Sequence, residues 1–189
     1  MTLNMAKNIT QAALSVMAAC ILTVSCGKNN TESTYSTQDG YIENITATLT
    51  PEGSNATVDY FDGIVRITVS HGEGESLNGN GKVSFLYAGY RISSSSLSAS
   101  SMFATNNKEL AESSGWNVSD TSIFKVSTID LSEDKIVKGL EKGLPGVKRG
   151  DECYILFNGK YGFGKHKTGN VPGNSALAYH LWIADVANN

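Results

Sequence analysis

The chain has 189 residues, 40% of them hydrophobic and 17% charged, which is room for one domain with a sizeable core plus extra segments. A formal charge of −3 argues against a broad basic face, and so against binding that depends on neutralising nucleic-acid phosphates. Abundant Ser, Asn and Gly beside only three Pro suit short strands and turns better than a helical bundle.

Lys7 followed by an apolar run from Ala12 to Val24 has the pattern of an export signal. The run is shorter than the ~20 residues a membrane span requires, and Ser15 and Thr23 interrupt it. It ends in Leu22-Thr23-Val24-Ser25-Cys26-Gly27, which resembles the lipobox of bacterial lipoproteins, with Thr23 where an aliphatic residue is usual. That resemblance implies a signal peptide over 1–25, acylation of Cys26 and a lipid anchor to a membrane on the periplasmic or outer-membrane side. Cys20, behind Ala18-Ala19, is a competing site, and a cleaved signal that merely contains cysteines is the plainer reading. Two or three acyl chains hold a protein to a membrane stably, while one does not.

Residues 26–40, polar and without period, are expected to be a flexible tether. Residues 41–62 form an N-terminal extension in which Ile42, Ile45, Ala47 and Leu49 fit either a short helix or a strand. From Gly63 the pattern sharpens. Ile64 to Val69 is β-branched and reads as a strand, His71-Gly72-Glu73-Gly74 marks a turn, and Val83, Phe85 and Tyr87 alternate along a second strand. Arg91 to Met102 is serine-rich and reads as an inserted loop, which costs little extra closure entropy. Residues 107–113 have helical character, and 123–126 read as a strand.

A core helix follows, with Ser132 as its cap, Glu133 and Asp134 at its positive end, Gly143 at its close and Pro145 forbidding continuation. Gly139 inside so short a helix costs ~1 kcal/mol relative to Ala, which makes sense if the helix lies close on a sheet. Cys153, Ile155 and Phe157 alternate on the next strand, and Leu177, Tyr179, Leu181 and Ile183 on the last, with His180 and Trp182 on its other face. Cys153 is the one cysteine outside the signal region, which excludes a disulfide framework. His71, His166 and His180 are too scattered for a paired-histidine metal site, so no metal or cofactor is expected.

The segments IVKGLEKGLPGVKRGD, YGFG and NVPGNSALAYHLWIADV, together with the strand ending in Tyr-Ala-Gly-Tyr, resemble the FKBP-type peptidyl-prolyl isomerases over residues 63–189. The resemblance implies an α+β fold, a bent antiparallel sheet of about five strands wrapped around one short helix. It also implies a proline isomerase or folding helper whose partners are proline-containing segments of exported proteins. The site residues it implies are Tyr87, Phe103, Phe163 and Tyr179 for catalysis, with Phe124, Ile136, Val137, Leu140 and Val171 for substrate binding.

The sequence departs from the family where an acidic residue usually follows the pocket phenylalanine, since Ala104 stands there. It departs again where a tyrosine usually binds the substrate carbonyl, since Phe163 stands there, and Tyr161 supplies that hydroxyl only in a different loop register. Leu140 replaces the tryptophan of some members. The alternative is therefore a catalytically silent proline-peptide binding lipoprotein. No nucleophile elbow, phosphate loop or dinucleotide fingerprint competes with either reading.

Overall fold

The computed structural model describes residues 25–189, with backbone alone for residues 25–29. Lys7, the run 12–24 and Cys20 lie outside the described residues, and Cys26 falls where only the backbone is described. Seven strands occupy the β-branched and aromatic runs: β1 Thr57–Phe61, β2 Ile64–Ser70, β3 Lys82–Ile92, β4 Met102–Thr105, β5 Ser127–Asp130, β6 Glu152–Phe157 and β7 Ala176–Ala187. They form one sheet in the order β1-β2-β6-β7-β3-β4, and every described pairing of strands is antiparallel. The free edge of β3 is shared, its first half pairing with β5 and its second with β4. The Asp62-Gly63 turn joins β1 to β2, and both residues take the positive φ that a two-residue hairpin demands.

Three helices accompany the sheet among the described residues: α1 Ser25–Leu49, α2 Lys108–Ser113 and α3 Lys138–Gly143. None is long and apolar enough to cross a membrane. The chain divides into two units, Met1–Thr37 and Gln38–Asn189, so α1 enters the second unit at Gln38. In place of the flexible tether expected over 26–40, the backbone is helical from Ser25. Its polar side chains bond along the helix instead of to solvent alone: Thr34, Thr37, Asn44 and Thr48 each donate to the carbonyl four residues back.

The expected extension over 41–62 is part of the sheet domain. Ile42 and Ile45 of α1 are buried with Val65, Ile67, Tyr90 and Leu156 on the rear of the sheet, and β1 is one of its strands. The front face holds the second core, where Leu140, Leu144 and Val147 pack with Ile64, Ile155 and Phe157. The α+β fold is thus an antiparallel sheet with α3 on one face and Gln38–Leu49 on the other.

Helix α3 is shorter than its sequence suggested, beginning at Lys138 with Val137 as an N-cap that makes no side-chain bond. Ser132 does not cap it. Asp130 accepts from both the backbone N–H and the hydroxyl of Ser132, and Asp134 accepts from the Asp130 N–H, so these residues close a turn of their own. Gly139 and Gly143 let the helix touch the sheet: a Cβ at Gly139 would sit 2.1 Å from the Phe157 ring, and one at Gly143 would sit 2.6 Å from Ile155. Arg66 fixes the other end. Its guanidinium donates to the carbonyls of Gly143 and Pro145, at 3.2 and 2.6 Å, and pairs with Asp59 at 2.8 Å.

Candidate functional site

Alternation along β3 sends Phe85, Tyr87, Gly89 and Arg91 to the front of the sheet, while Ala88, Tyr90 and Ile92 enter the rear core. Gly89 leaves a gap there, and Phe103 of β4 fills it; a Cβ on Gly89 would lie 2.7 Å from the Phe103 ring. Tyr179, opposite Gly89 on β7, meets Phe103 edge to face at 6.0 Å and stands 6.3 Å from Tyr87. Phe163, reaching in from the loop after β6, packs its ring at right angles to Phe103 at 6.0 Å. The result is a cup of about 580 Å³ whose far wall is Ile136 and Leu140.

Six of the nine pocket residues named from the sequence line this cup: Tyr87, Phe103, Phe163, Tyr179, Ile136 and Leu140. Val137 packs on the front core beside it. Val171 is buried and lines a neighbouring hollow instead. Phe124 does not line the cup, because the strand expected over 123–126 is absent there. Asp120 accepts from the Ser122 N–H and starts a one-turn 3₁₀ segment over Thr121–Ile123, and pairing resumes only at Ser127. Tyr161 does not supply a hydroxyl either; it is buried below Gly63, between Lys142 and Lys160.

Two contributors escaped the sequence reading. Phe85 is a buried wall of the cup, and its alternation with Tyr87 was the available signal. Asn106 is 4% exposed and joins the strands behind the wall. Its amide oxygen accepts from the Tyr87 N–H, and its amide nitrogen donates to the Lys125 carbonyl at 2.7 Å and to Ser127 Oγ at 3.1 Å. Nothing in the sequence distinguishes this asparagine from the others in the chain.

The cup is apolar with few polar groups. Ala104 lines it where an acid was missed in the sequence, while Asp134 and Lys135 lie at the opposite rim. The hydroxyls of Tyr87 and Tyr179 have no hydrogen-bond partner among the described residues. Burial, and secondarily Tyr87, pushes the Tyr179 hydroxyl above its ordinary range, so it remains a proton donor.

A hollow of about 530 Å³ lies on the other side of Phe103, walled by Arg91, Met102, Trp116, Asn170 and Val171. On the rear of the sheet a narrower cleft of about 310 Å³, between Leu49, Tyr90, Leu97 and Leu110, shares no residue with the cup. Also at the rear, the His180 ring lies between Tyr154, at 4.0 Å, and Trp182, at 3.8 Å. Burial outweighs the nearby Glu152 carboxylate and holds His180 below its ordinary range, so near neutral pH the 2.7 Å contact is an N–H donated by a neutral ring. Cys153 is buried and its thiol is pushed up to about 12 by that burial, which leaves it an inert core residue.

The model of the FKBP-type peptidyl-prolyl cis-trans isomerase family matches residues 116–183. No curated protein matches the sequence. Among solved structures, FkpA from Escherichia coli is similar at 18% identity and a TM-score of 0.54, over 94% of this chain and 72% of that one. A peptidyl-prolyl cis-trans isomerase from Pseudomonas syringae is similar at 15% identity and a TM-score of 0.55, over 84% and 96%. A multi-domain immunophilin from Arabidopsis thaliana gives 14% and 0.54 over 74% of this chain, which spans 48% of that protein's length. Residues 116–183 carry the sequence pattern of the FKBP-type peptidyl-prolyl cis-trans isomerase family, and the compact unit that contains them has that family's fold.

Proposed function

We propose that the cup of Tyr87, Phe103, Phe163 and Tyr179 is a proline-binding site and that the protein is a peptidyl-prolyl isomerase or folding helper. The observation that carries this reading is the convergence of four rings from three strands and a loop on one apolar cup, with two tyrosine hydroxyls left unpartnered inside it.

Isomerisation of a prolyl bond needs no nucleophile or metal. The barrier of ~18–20 kcal/mol is amide resonance, and it falls when the twisted amide binds better than either planar form. The apolar walls take the pyrrolidine ring and strip water from the carbonyl, which weakens the polar resonance form that keeps the amide flat. Tyr179, protonated and edge-on to Phe103, is placed to donate to the rotated carbonyl in the absence of a hydroxyl on residue 163. Ala104 leaves Tyr87 without an acidic partner, so its hydroxyl is a second donor.

Acceleration of a proline peptide in a protease-coupled assay is the test. Phe163→Tyr should raise the rate and Tyr179→Phe should lower it, each by about two- to tenfold, the value of one hydrogen bond. A wild-type rate at background together with measurable peptide affinity would favour the silent binding module, the reading that Ala104 and Phe163 support. If neither substitution changes rate or affinity, the site lies elsewhere.

The clients are exported proteins and the anchor is an acyl group on Cys26, on the strength of the Lys7 to Gly27 pattern. On this reading the domain works in a bacterial cell envelope. Replacing Cys26 with Ser should move the protein from the membrane fraction to the soluble one; an unchanged membrane fraction would remove the anchor from the reading.

A further inference from the structure

Apart from Phe103 and Val171, the hollow beyond Phe103 is built by residues that the proline reading leaves unused, and part of its wall, Ser100 and Ser101, comes from the serine-rich segment. Phe103 belongs to both the cup and the hollow, so the two adjoin across its ring. Arg91 follows Tyr87 and Gly89 along the same face of β3. Four strand residues span ~13 Å, about the reach of four residues of an extended peptide.

The Arg91 guanidinium has neither an ion pair nor a hydrogen bond among the described residues, and no carboxylate lines the hollow. Arg66 is the contrast in the same sheet, fully engaged by Asp59 and two carbonyls. The loop that supplies Phe163 and Val171 also carries Lys165 and Lys167, both exposed and without an ion pair among the described residues.

We propose that this hollow binds the client residues that flank the proline, and that Arg91 selects an acidic side chain among them. The proposal rests on the reading of the aromatic cup as the proline site. Arg91 supplies a fixed positive fork able to hold a carboxylate through two parallel hydrogen bonds. Trp116 and Met102 cover the aliphatic part of the same client side chain. An arginine whose stem only covers apolar surface would give no such selection.

The test measures affinity of the full chain for pairs of proline peptides that differ only by Glu or Gln, placed one to four residues to either side of the proline. The wild type should prefer the Glu peptide about three- to tenfold at one or two offsets in low salt, the preference shrinking as salt rises. Arg91→Gln should bring that ratio to one, and Arg91→Lys should keep part of it. A ratio of one at every offset in the wild type overturns the proposal, as does a preference that survives in Arg91→Gln. If no peptide of either kind binds the wild type, it is the proline reading that fails and this one falls with it. If the Gln peptides bind and the ratio is one, only the role of Arg91 fails.

Discussion

Side chains on the rear of the sheet make one residue-scale prediction that is independent of the site. His180 is held neutral between Tyr154 and Trp182, with its folded-state affinity for protons below that of the unfolded chain. Its contribution to stability is therefore complete above about pH 6.5 and is lost as the pH falls below that value, since the unfolded state then binds the extra proton. Glu152 is the carboxylate facing the ring, and it opposes this loss without reversing it. Urea midpoints of the wild type should fall between pH 7 and pH 5, and the fall should be smaller in His180→Phe, which keeps the stack. Equal slopes in the two proteins would show that the pH dependence arises elsewhere. The same residue was legible in sequence only as a position on the outer face of β7; that two rings would enclose it depends on Tyr154, which pairs with it from β6.

At the scale of elements, the glycines of α3 set how deep the cup is. An alanine at Gly139 suits the helix better by ~1 kcal/mol, yet its Cβ would press on the buried Phe157 ring, which has no free end to swing away. Phe157 in turn stacks on Tyr179 at 6.1 Å. Gly139→Ala should cost about 1–3 kcal/mol of stability net, as overpacking does, and Phe157→Leu should recover part of that loss in the double variant. Full additivity in that cycle would refute the contact.

The elements also show which sequence signals carry through to the fold. Alternation on β3, β6 and β7 named those strands and the faces of Tyr87 and Tyr179, because a period of two survives whatever packs on either side, while β2, buried on both faces, was named by its β-branched run instead. Capping residues were less faithful guides. Ser132 and Asp134 had the chemistry of a helix start but satisfied Asp130 instead, and Asp120 began a 3₁₀ turn where β-branched neighbours suggested a strand. Helix α1 was hidden for a different reason. Its Asn, Ser and Thr residues resemble a loop in composition, and its fully buried apolar side chains are only Ile42 and Ile45, three residues apart, with Tyr41 and Leu49 partly buried beside them.

For the sheet unit as a whole, contacts join two segments far apart in the chain. Gln38 accepts from the buried Gly159 N–H at 2.8 Å and donates to the Asn174 carbonyl at 2.8 Å, while Asp39 accepts from the Asn158 amide at 2.8 Å. Residues 158 and 174 bracket the loop that carries Phe163. Gln38→Ala leaves the Gly159 N–H without a partner and should lower stability by about 1–3 kcal/mol. Amide hydrogen exchange should quicken over residues 159–174 in that variant; exchange that quickens only within α1 would show that the two segments are not coupled.

The Gln38 clamp also determines where mechanical load enters. A chain held at a point ahead of Gln38 and pulled by its surroundings transmits the tension first to the base of the Phe163 loop, since that is where Gln38 and Asp39 are fastened. The sheet takes the strain only after those bonds give. The loop that covers the aromatic cup is thus fastened by the same bonds that hold the first residues of this unit, so a load reaching Gln38 acts on the Phe163 loop before it acts on the strands.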